Sequence, residues 1–310
     1  MDAAVEKAVA YMRERFGDPL TVTDIARRTP LGRFDFSRVF QEETGTSPRR
    51  FLEAVRIHEA KKLIEGTSSA IAEISAAVGF PSADAFTRSF TALVGMSPGR
   101  FRRLCRDEGE VPPGPEPGPH APRGSVAGTV RLPPGHGNAR VFLGAFATAV
   151  VQYPAVASAV VDVPCDRPSC YTLRDVPEGR WHLLAVAVAA GAGHDPRAVR
   201  TPLVAGDRAT TVTVTAGEVT SAAVRLRPAL PSDPPALLAL PGLEPPAVVV
   251  PHPGCAATTP ATTAPAQGRA SVTRLRAVPA EPAPARDRAV TPGGGPGRQG
   301  PEGDSLRHRS

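Results

Sequence analysis

The chain has 310 residues, 36 of them Pro and 29 Gly, and an aromatic content of only 5%. This length suits about two domains, and so much Pro and Gly excludes one compact body, which predicts ordered domains separated by flexible stretches. The net charge of +6 and the pI of about 9.6 favour polyanionic partners without selecting among DNA, RNA and a membrane surface.

The first sixteen residues, MDAAVEKAVAYMRERF, are charged and amphipathic and lack the apolar core of a secretory signal. They predict a cytoplasmic protein in a reducing setting, in which the four Cys are not expected to form disulfides. The most apolar run, from Val141 to Val163, is interrupted by Gln152 and Pro154. This run therefore predicts strands and no membrane partner.

Composition divides the chain into four parts. Residues 1–106 are Arg-rich and helical in pattern, with 17 Lys and Arg against 13 Asp and Glu. Residues 107–123 form a Pro/Gly linker that is expected to be extended. Residues 124–228 show short alternating runs of Val, Thr and Ala, which predict strands. Residues 229–310 are rich in Pro, Ala and Gly, and they predict a disordered tail because they bury too little apolar surface to offset chain entropy.

The helical part contains an internal repeat at an offset of fifty residues. Segment 34–51 is FDFSRVFQEETGTSPRRF, and segment 84–101 is DAFTRSFTALVGMSPGRF. So many identities imply a duplicated structural unit. The identical pairs are Phe36 and Phe86, Arg38 and Arg88, Phe40 and Phe90, Gly45 and Gly95, Ser47 and Ser97, Pro48 and Pro98, Arg50 and Arg100, and Phe51 and Phe101.

Each repeat predicts a short helix, a turn and a longer helix. The short helices begin at Asp24 and Glu73, and the longer helices cover about 33–43 and 82–93. The phenylalanines of each longer helix are expected to face the core, which leaves an Arg on the outer side. Each longer helix ends at a Gly, and a Ser-Pro pair then caps the next helix. The helix that begins at Pro48 is expected to join the two units.

A short helix, a tight turn and a second helix with polar residues outward form the helix-turn-helix plan, whose second helix can enter a major groove. Arg suits both guanine edges and phosphates, which makes Arg38 and Arg88 candidate DNA contacts. The same pattern also fits a helical bundle of unknown use, because most of the repeated residues are core and cap positions. The repeat therefore supports the fold better than it supports any particular contact.

Two stretches carry a resemblance to a known family. DIARRTPLGRFDFSRVFQEETGTSPRRFLEAVRIHEAKKLI and IAEISAAVGFPSADAFTRSFTALVGMSPGRFRR resemble the DNA-binding domain of AraC/XylS transcription regulators, over about a third of the chain. The resemblance implies seven helices, a rigid connecting helix and two recognition helices in successive major grooves of double-stranded DNA, with RNA polymerase as a further candidate partner. The family's base- and phosphate-facing positions correspond here to Arg33, Phe34, Ser37, Arg38, Ser82, Ala83, Asp84, Thr87 and Arg88.

The sequence departs from the family pattern at two places. Residues 29–32, TPLG, stand where the family has a turn Gly and a Ser cap, so the directions of Arg33 and Phe34 depend on an unusual turn. In the second unit Ala83 cannot hydrogen-bond a base edge, and Asp84 is repelled by phosphate although it can accept from a cytosine amine. The two repeated arginines are therefore expected to supply most of the contact energy.

Residues 124–228 predict a small antiparallel sandwich of about seven short strands. SVAGTVRL, YTLRDVPEGRWHLLAVAV and VTVTAGEVTSAAVRL resemble the carboxypeptidase-regulatory-like, transthyretin-related sandwich, which implies a binding or structural module without catalytic residues. Trp181 is expected to fill the core, which would put His182 on the outer face. The predicted strands are Ser125–Leu132, Ala139–Ala147, Ala159–Val163, Tyr171–Asp175, Arg180–Ala189, Thr210–Thr215 and Ser221–Arg227.

Two chemical alternatives concern the cysteines of this region. The tetrapeptide PCDR resembles an alkyl-transfer site that some DNA-repair proteins join to an AraC-like module. A reactive thiol there needs a depressed pKa and a basic partner, which the sequence does not display. Cys165 and Cys170 with His136, His182 or His194 could hold a metal, although zinc sites show tighter paired spacing. No catalytic, cofactor-binding or metal residue is therefore predicted.

The sequence thus predicts a multidomain protein: an all-α tandem helix-turn-helix domain, a small all-β sandwich and a disordered tail. The first functional hypothesis is a sequence-specific transcription regulator whose sandwich senses a small molecule or binds a protein partner. A DNA repair or modification enzyme that uses the helical domain for delivery is one alternative. A DNA-tethered protein-interaction module is the other.

Overall fold

The chain forms an all-α region followed by a sheet-rich, barrel-like region. No helix in the described ranges given below is long and apolar enough to cross a membrane. Most of the tail predicted to be disordered, residues 244–310, lies outside the described residues. The structure, a computed structural model, describes residues 2–116, 118, 122–190, 201–205, 211–240 and 242–243.

The described part of the all-α region has seven helices, the number that the family resemblance implies. The two longer helices of the repeat begin within a residue of their predicted starts and have twelve residues each. The connecting helix after the first Ser-Pro pair has nineteen residues. The helices are α1 (Ala3–Glu14), α2 (Val22–Ala26), α3 (Arg33–Thr44), α4 (Pro48–Gly66), α5 (Ile71–Ala77), α6 (Ala83–Val94) and α7 (Pro98–Cys105).

Local capping explains these bounds. Ser47 and Ser97 each accept a hydrogen bond from the backbone N–H three residues later, and Pro occupies the first helical position after each. Helices α3 and α6 end at Gly45 and Gly95, whose φ values of 74° and 92° lie in the left-handed region. The predicted cap at Ser82 is confirmed, because its Oγ accepts from the N–H three residues later.

The short helices begin earlier than predicted. Helix α2 begins at Val22, and the carboxylate of Asp24 accepts a hydrogen bond from the Thr21 N–H at 3.0 Å. Helix α5 begins at Ile71, and Glu73 accepts in the same way from the residue before that helix. The acid therefore occupies the third helical position, where it accepts from the N–H of the residue before the helix, and does not mark the helix start. In α2 the Thr21 hydroxyl accepts from the Asp24 N–H in return, which completes a capping box, whereas Ala70 has no side-chain acceptor.

Two apolar clusters fill the helical region, one for each unit of the repeat. In the first cluster the Phe40 and Phe51 rings meet edge to face at 5.4 Å between centroids. In the second cluster Phe90 and Phe101 meet in the same way at 5.7 Å. The duplicated phenylalanines are therefore core residues, as predicted, and they contribute aromatic pairing beyond their buried area.

The barrel-like region is one sheet of nine strands within the described residues. The strand order is β3-β2-β5-β6-β9-β1-β4, with β7 paired to β5 and β8 paired to β1. The Ser169 hydroxyl donates to the Asp162 carbonyl at 2.9 Å, which brings the two end strands together. The strands are β1 (Arg123–Arg131), β2 (Ala139–Phe146), β3 (Ala157–Val163), β4 (Ser169–Pro177), β5 (Gly179–Ala189), β6 (Thr201–Ala205), β7 (Thr211–Val214), β8 (Val219–Ser221) and β9 (Val224–Pro228).

The sheet differs from the predicted antiparallel set of seven. Two further strands, β6 and β8, have only five and three residues, too few for a clear alternating pattern. Strand β1 pairs in parallel with β8 and β9, because a long connection brings these strands back beside it. The other strand pairs are antiparallel, as the sequence predicts.

Both faces of the β2–β5 pair are covered by apolar residues. Trp181 packs against the barrel core, and its Nε1 donates to the Pro177 carbonyl at 2.7 Å. On the opposite face Phe146 and Leu184 form a second cluster. His182 alternates to this opposite face, as predicted, but it is half-buried there, and burial, followed by the charge of Arg180, lowers the pKa of its imidazole.

The second face is covered in part by residues 229–240, which we call the strap. Leu237 and Leu238 are 1% and 4% exposed. The Leu237 N–H donates to the Val151 carbonyl at 2.7 Å, and the Ala239 N–H donates to the Val94 carbonyl at 3.3 Å. The strap thus joins the sheet to the helical region, which corrects the predicted start of the disordered tail at residue 229. Its few apolar residues become buried because both regions offer them a surface.

Candidate nucleic-acid interface

Helix α3 places its four predicted contact residues on the side away from the core. Arg33, Phe34 and Arg38 are exposed, and the Phe34 side chain is the most exposed large apolar residue in the described parts of the chain, at 88%. Ser37 is half-buried, and its hydroxyl donates to the Arg33 carbonyl at 2.9 Å. An aromatic ring so exposed on a helix with two arginines provides both apolar and cationic groups for a ligand.

Helix α6 presents the second predicted set in the same way. Ser82 uses its hydroxyl as the helix cap, while Ala83 and Thr87 are half-buried. Asp84 and Arg88 are exposed. Because a carboxylate in the first turn is stabilised by the helix dipole, Asp84 has a structural role even without a ligand. Arg88 is thus the exposed cation of this helix.

The two repeated arginines have different neighbours. Arg38 forms an ion pair with Glu42 one turn later, at 3.0 Å. The position that corresponds to Glu42 in the second unit is Ala92, so α6 offers Arg88 no acid at that spacing. The i,i+4 spacing already signals the first pair in the sequence. The first unit therefore restrains its arginine, and the second unit does not do so from this position.

The unusual turn of the first unit still leads to an equivalent helix. At the position of Gly79, the first unit has Thr29, whose hydroxyl donates to the Ala26 carbonyl at 2.8 Å. Gly32 replaces the capping Ser82 and supplies no side-chain hydrogen bond. Since α3 and α6 have the same length and begin one residue after these caps, the departure alters the capping but not the position of the helix.

The Pro/Gly linker contributes an acid that the sequence does not single out. Glu110 is bound by Arg100 at 2.9 Å and by Arg103 at 2.5 Å. Hydrogen bonds from Arg103 and then Arg100 hold the pKa of the Glu110 carboxyl below its usual range. The repeat aligns Arg100 with Arg50, but a pairing across a linker depends on how the chain folds back, which no local pattern predicts.

The geometry around the cysteines gives little support to the alkyl-transfer site or to the metal site. The Cys165 N–H donates to the Asn138 side chain at 3.2 Å, which fixes the loop between β3 and β4. Within the described parts of the chain, no group of three or more His, Cys, Asp or Glu side chains could hold a metal ion. His194, one of the proposed ligands, lies outside the described residues.

Comparison with known proteins shows what the helical region is similar to. Residues 25–104 match a family model described as a helix-turn-helix domain. The chain is 34% identical over 105 residues to the uncharacterised HTH-type transcriptional regulator YfiF of Bacillus subtilis, which covers 34% of this chain and 33% of that protein. It is 33% identical over 101 residues to the Msm operon regulatory protein of Streptococcus mutans, which covers 33% of this chain and 36% of that protein. The chain spans about a third of the length of these curated relatives.

Among solved structures, the chain is similar to the DNA-binding domain of the transcriptional factor AdpA in complex with a target DNA, at 27% identity and a TM-score of 0.34. That similarity covers 35% of this chain and 97% of the other. The family match includes the duplicated helices and both exposed arginines, and it ends one residue before the end of α7. The helical region of this chain is therefore similar to helix-turn-helix domains of transcription regulators.

Proposed function

We propose that this protein is a sequence-specific transcription regulator that inserts α3 and α6 into successive major grooves of double-stranded DNA. The observation that carries the proposal is the duplicated unit, in which two helices of equal length each present an exposed Arg at the same position. The names of the relatives support a regulator rather than an enzyme. RNA polymerase is the partner that such a regulator would meet at a promoter.

Each exposed side chain suits a feature of the groove. Arg38 and Arg88 can bind guanine edges or phosphates, and Phe34 can contact a thymine methyl group. Asp84 can accept a hydrogen bond from a cytosine amine, and it would disfavour a phosphate at the same place. Ser37 and Thr87 carry hydroxyls at equivalent positions of the two helices, where they suit either a base or a phosphate oxygen.

We propose further that the barrel-like region acts on this domain as a sensing or partner-binding module. This proposal is supported by hydrogen bonds from the helical region to the strap, since Arg13 and Lys61 each donate to two strap carbonyls. A module held in this way can transmit a change at its own surface to the helices, because both share the strap as a contact.

Selection of bound duplexes from a random pool tests the proposal. We expect the full-length protein to select a bipartite site whose halves lie one helical turn apart, about 10 bp. Affinity for this site should fall steeply as salt rises, because Lys and Arg release counterions from the phosphates. A protein that shows no duplex preference over nonspecific competitor DNA would rule the proposal out.

The Arg38–Glu42 pair makes a separate prediction. Replacing Glu42 with Ala should raise affinity for the selected duplex by about threefold at low salt, because it releases Arg38 and removes a negative charge that repels phosphate. The gain is small because exposed ion pairs are weak and exposed charges are screened by salt. Ala92→Glu should lower affinity by a similar factor, because it places an acid one turn from Arg88. Fluorescence anisotropy of labelled duplexes measures both effects.

Glu178→Ala is the matched control for this pair of variants. Glu178 is exposed in the turn between β4 and β5, so the substitution makes the same charge change away from α3 and α6. We expect it to leave affinity unchanged within error. Equal gains from the two Glu→Ala variants would show that net charge, and not release of Arg38, produces the effect.

A further inference from the structure

A cavity of about 550 Å³ lies where the helical region, the sheet and the strap meet. This volume is within the range of small-molecule sites in proteins. The helical wall carries Arg13, His58 and Lys61, three basic side chains from α1 and α4. The opposite wall is apolar and includes Val186 and Val188 of β5. The cavity therefore has one polar, basic side and one apolar side.

The two cations of this wall keep hydrogen-bonding capacity. The Lys61 Nζ donates to the carbonyls of Leu237 and Leu238 at 3.1 and 2.6 Å, and an ammonium has three protons to donate. Arg13 donates from Nε and one Nη to two further strap carbonyls, at 2.9 and 3.1 Å, and a guanidinium has five N–H groups. Each cation thus anchors the strap through carbonyls that carry no net charge. Glu59 and Asp233 attract Arg13, and Glu65 attracts Lys61, by Coulomb interaction.

The acid of the cavity is already engaged. Asp233 lines it, but its two carboxylate oxygens lie 2.6 and 2.7 Å from the guanidinium of Arg227. Near the basic wall, Glu59 is paired with Lys62 at 2.9 Å. Burial lowers the pKa of Lys61 to about 8, so its ammonium form still predominates at neutral pH and an anion beside it would relieve the cost of burial.

His58 adds a neutral polar group to the same wall. Burial, followed by the charges of Lys62 and Lys61, lowers the pKa of its imidazole to about 4. The ring is therefore uncharged at neutral pH and can either donate or accept a hydrogen bond. The wall thus offers two positive charges and one neutral ring, a set that suits one anionic head group.

We propose that this cavity binds an amphipathic organic monoanion, a carboxylate on an apolar body, with the carboxylate at Arg13 and Lys61 and the body against β5. The inference rests on the proposed function, because it names the chemical class of ligand for the sensing module. A ligand seated there contacts the helical region, the sheet and the strap together. It therefore stabilises their packed arrangement by its own binding free energy.

Calorimetric titration of the full-length, DNA-free protein with hexanoate, octanoate and decanoate tests the proposal, with the corresponding methyl esters as neutral controls. We expect saturable binding of the acids, an affinity that rises with chain length, and a higher thermal unfolding midpoint. The esters should bind at least tenfold more weakly, because they lack the charge that the basic wall accommodates. Absence of acid binding, or equal binding of esters, would overturn the proposal.

Three variants locate the ligand. Lys61→Met keeps the apolar stem and should lower octanoate affinity at least tenfold. Because this variant also loses its strap contacts, Val188→Trp provides a second probe that fills the apolar side and leaves both cations in place. Val160→Trp, on the exposed face of β3, is its control and should bind like wild type. Unchanged binding in Val188→Trp would place the ligand elsewhere and overturn the assignment.

This test is independent of DNA recognition. Carboxylate binding is measured without DNA, and duplex selection is performed without carboxylate. A protein that selects a duplex but binds no carboxylate refutes the ligand class and leaves the regulator intact. A protein that binds carboxylates in this cavity but selects no duplex refutes the regulator and leaves the cavity as a binding site.

Discussion

The double variant Arg38→Ala/Arg88→Ala is expected to bind the selected duplex at least about a hundredfold more weakly than wild type, because each good contact of an Arg with a base edge contributes about 1–3 kcal/mol. Each single variant should lose about tenfold. Both side chains are exposed and lie outside the apolar clusters, so the free energy of unfolding should not change. Fluorescence anisotropy with selected and random duplexes measures the loss.

Salt dependence separates the two kinds of contact. If an Arg binds phosphate, its removal weakens selected and random duplexes alike and reduces the salt slope by about one. If it reads a base, removal relaxes the preference at one position of the site. We expect Arg88 to read a base, because no acid restrains it at i+4. We expect Arg38 to bind a phosphate, because its ion pair with Glu42 already holds the guanidinium beside one oxygen anion, and a phosphate oxygen can bind at the same place.

The control for the double variant is Arg174→Ala/Arg225→Ala. These arginines are exposed on β4 and β9, so the control removes the same charge from the barrel-like region. It should bind DNA nearly as well as wild type, apart from a small loss at low salt. Comparable losses in the two double variants would mean that overall charge governs binding, and that α3 and α6 have no special role.

Gly79→Ala is expected to destabilise the helical domain by about 2–5 kcal/mol. Its φ of 82° already penalises any side chain, and an added Cβ would lie 2.7 Å from the carbonyl oxygen of Gly17 and 2.8 Å from that of Phe16. Both neighbours are backbone atoms that cannot rotate away. Urea denaturation followed by circular dichroism measures the loss.

Gly109→Ala separates the two causes of this loss. Gly109 has a similar φ of 75°, but a Cβ there would meet nothing within 4 Å. Gly109→Ala should lower the free energy of unfolding only by the strain of a left-handed Ala, about 1–2 kcal/mol. The excess in Gly79→Ala is then the steric contribution of the close approach. If both variants lowered the free energy of unfolding equally, the close approach of the turn to residues 16–17 would make no contribution to the loss.

The helical domain could be predicted closely because its signals are local. A Ser-Pro cap, a Gly in the left-handed region and Phe residues at helical spacing each act within one or two turns, and the repeat supplies them twice. The starts of α2 and α5 were the exception. There an acid at the third helical position, which bonds back to the N–H before the helix, also resembles the first residue of a helix.

The barrel-like region and the strap depend on distant partners, which limits prediction. The parallel pairing of β1 with β9 joins residues about a hundred positions apart, as Val130 and Val224 show. Leu237 and Leu238 stand in a Pro-rich stretch and become buried only because Val151 and Val94 supply surfaces from two other regions. The exposure of Arg38 and Arg88 was predictable from helix periodicity, whereas the pairing of Glu110 with Arg103 was not.

The strap also determines which contacts form last while the chain is being synthesised. Lys61 hydrogen-bonds to carbonyls 176 and 177 residues later, so its partners leave the ribosome long after the helices. Local contacts let the helices form early, and contacts of such long range form late. A newly made chain therefore passes through a stage with an exposed apolar face on β5, and it becomes protected from proteolysis there only when residues 237–239 have emerged.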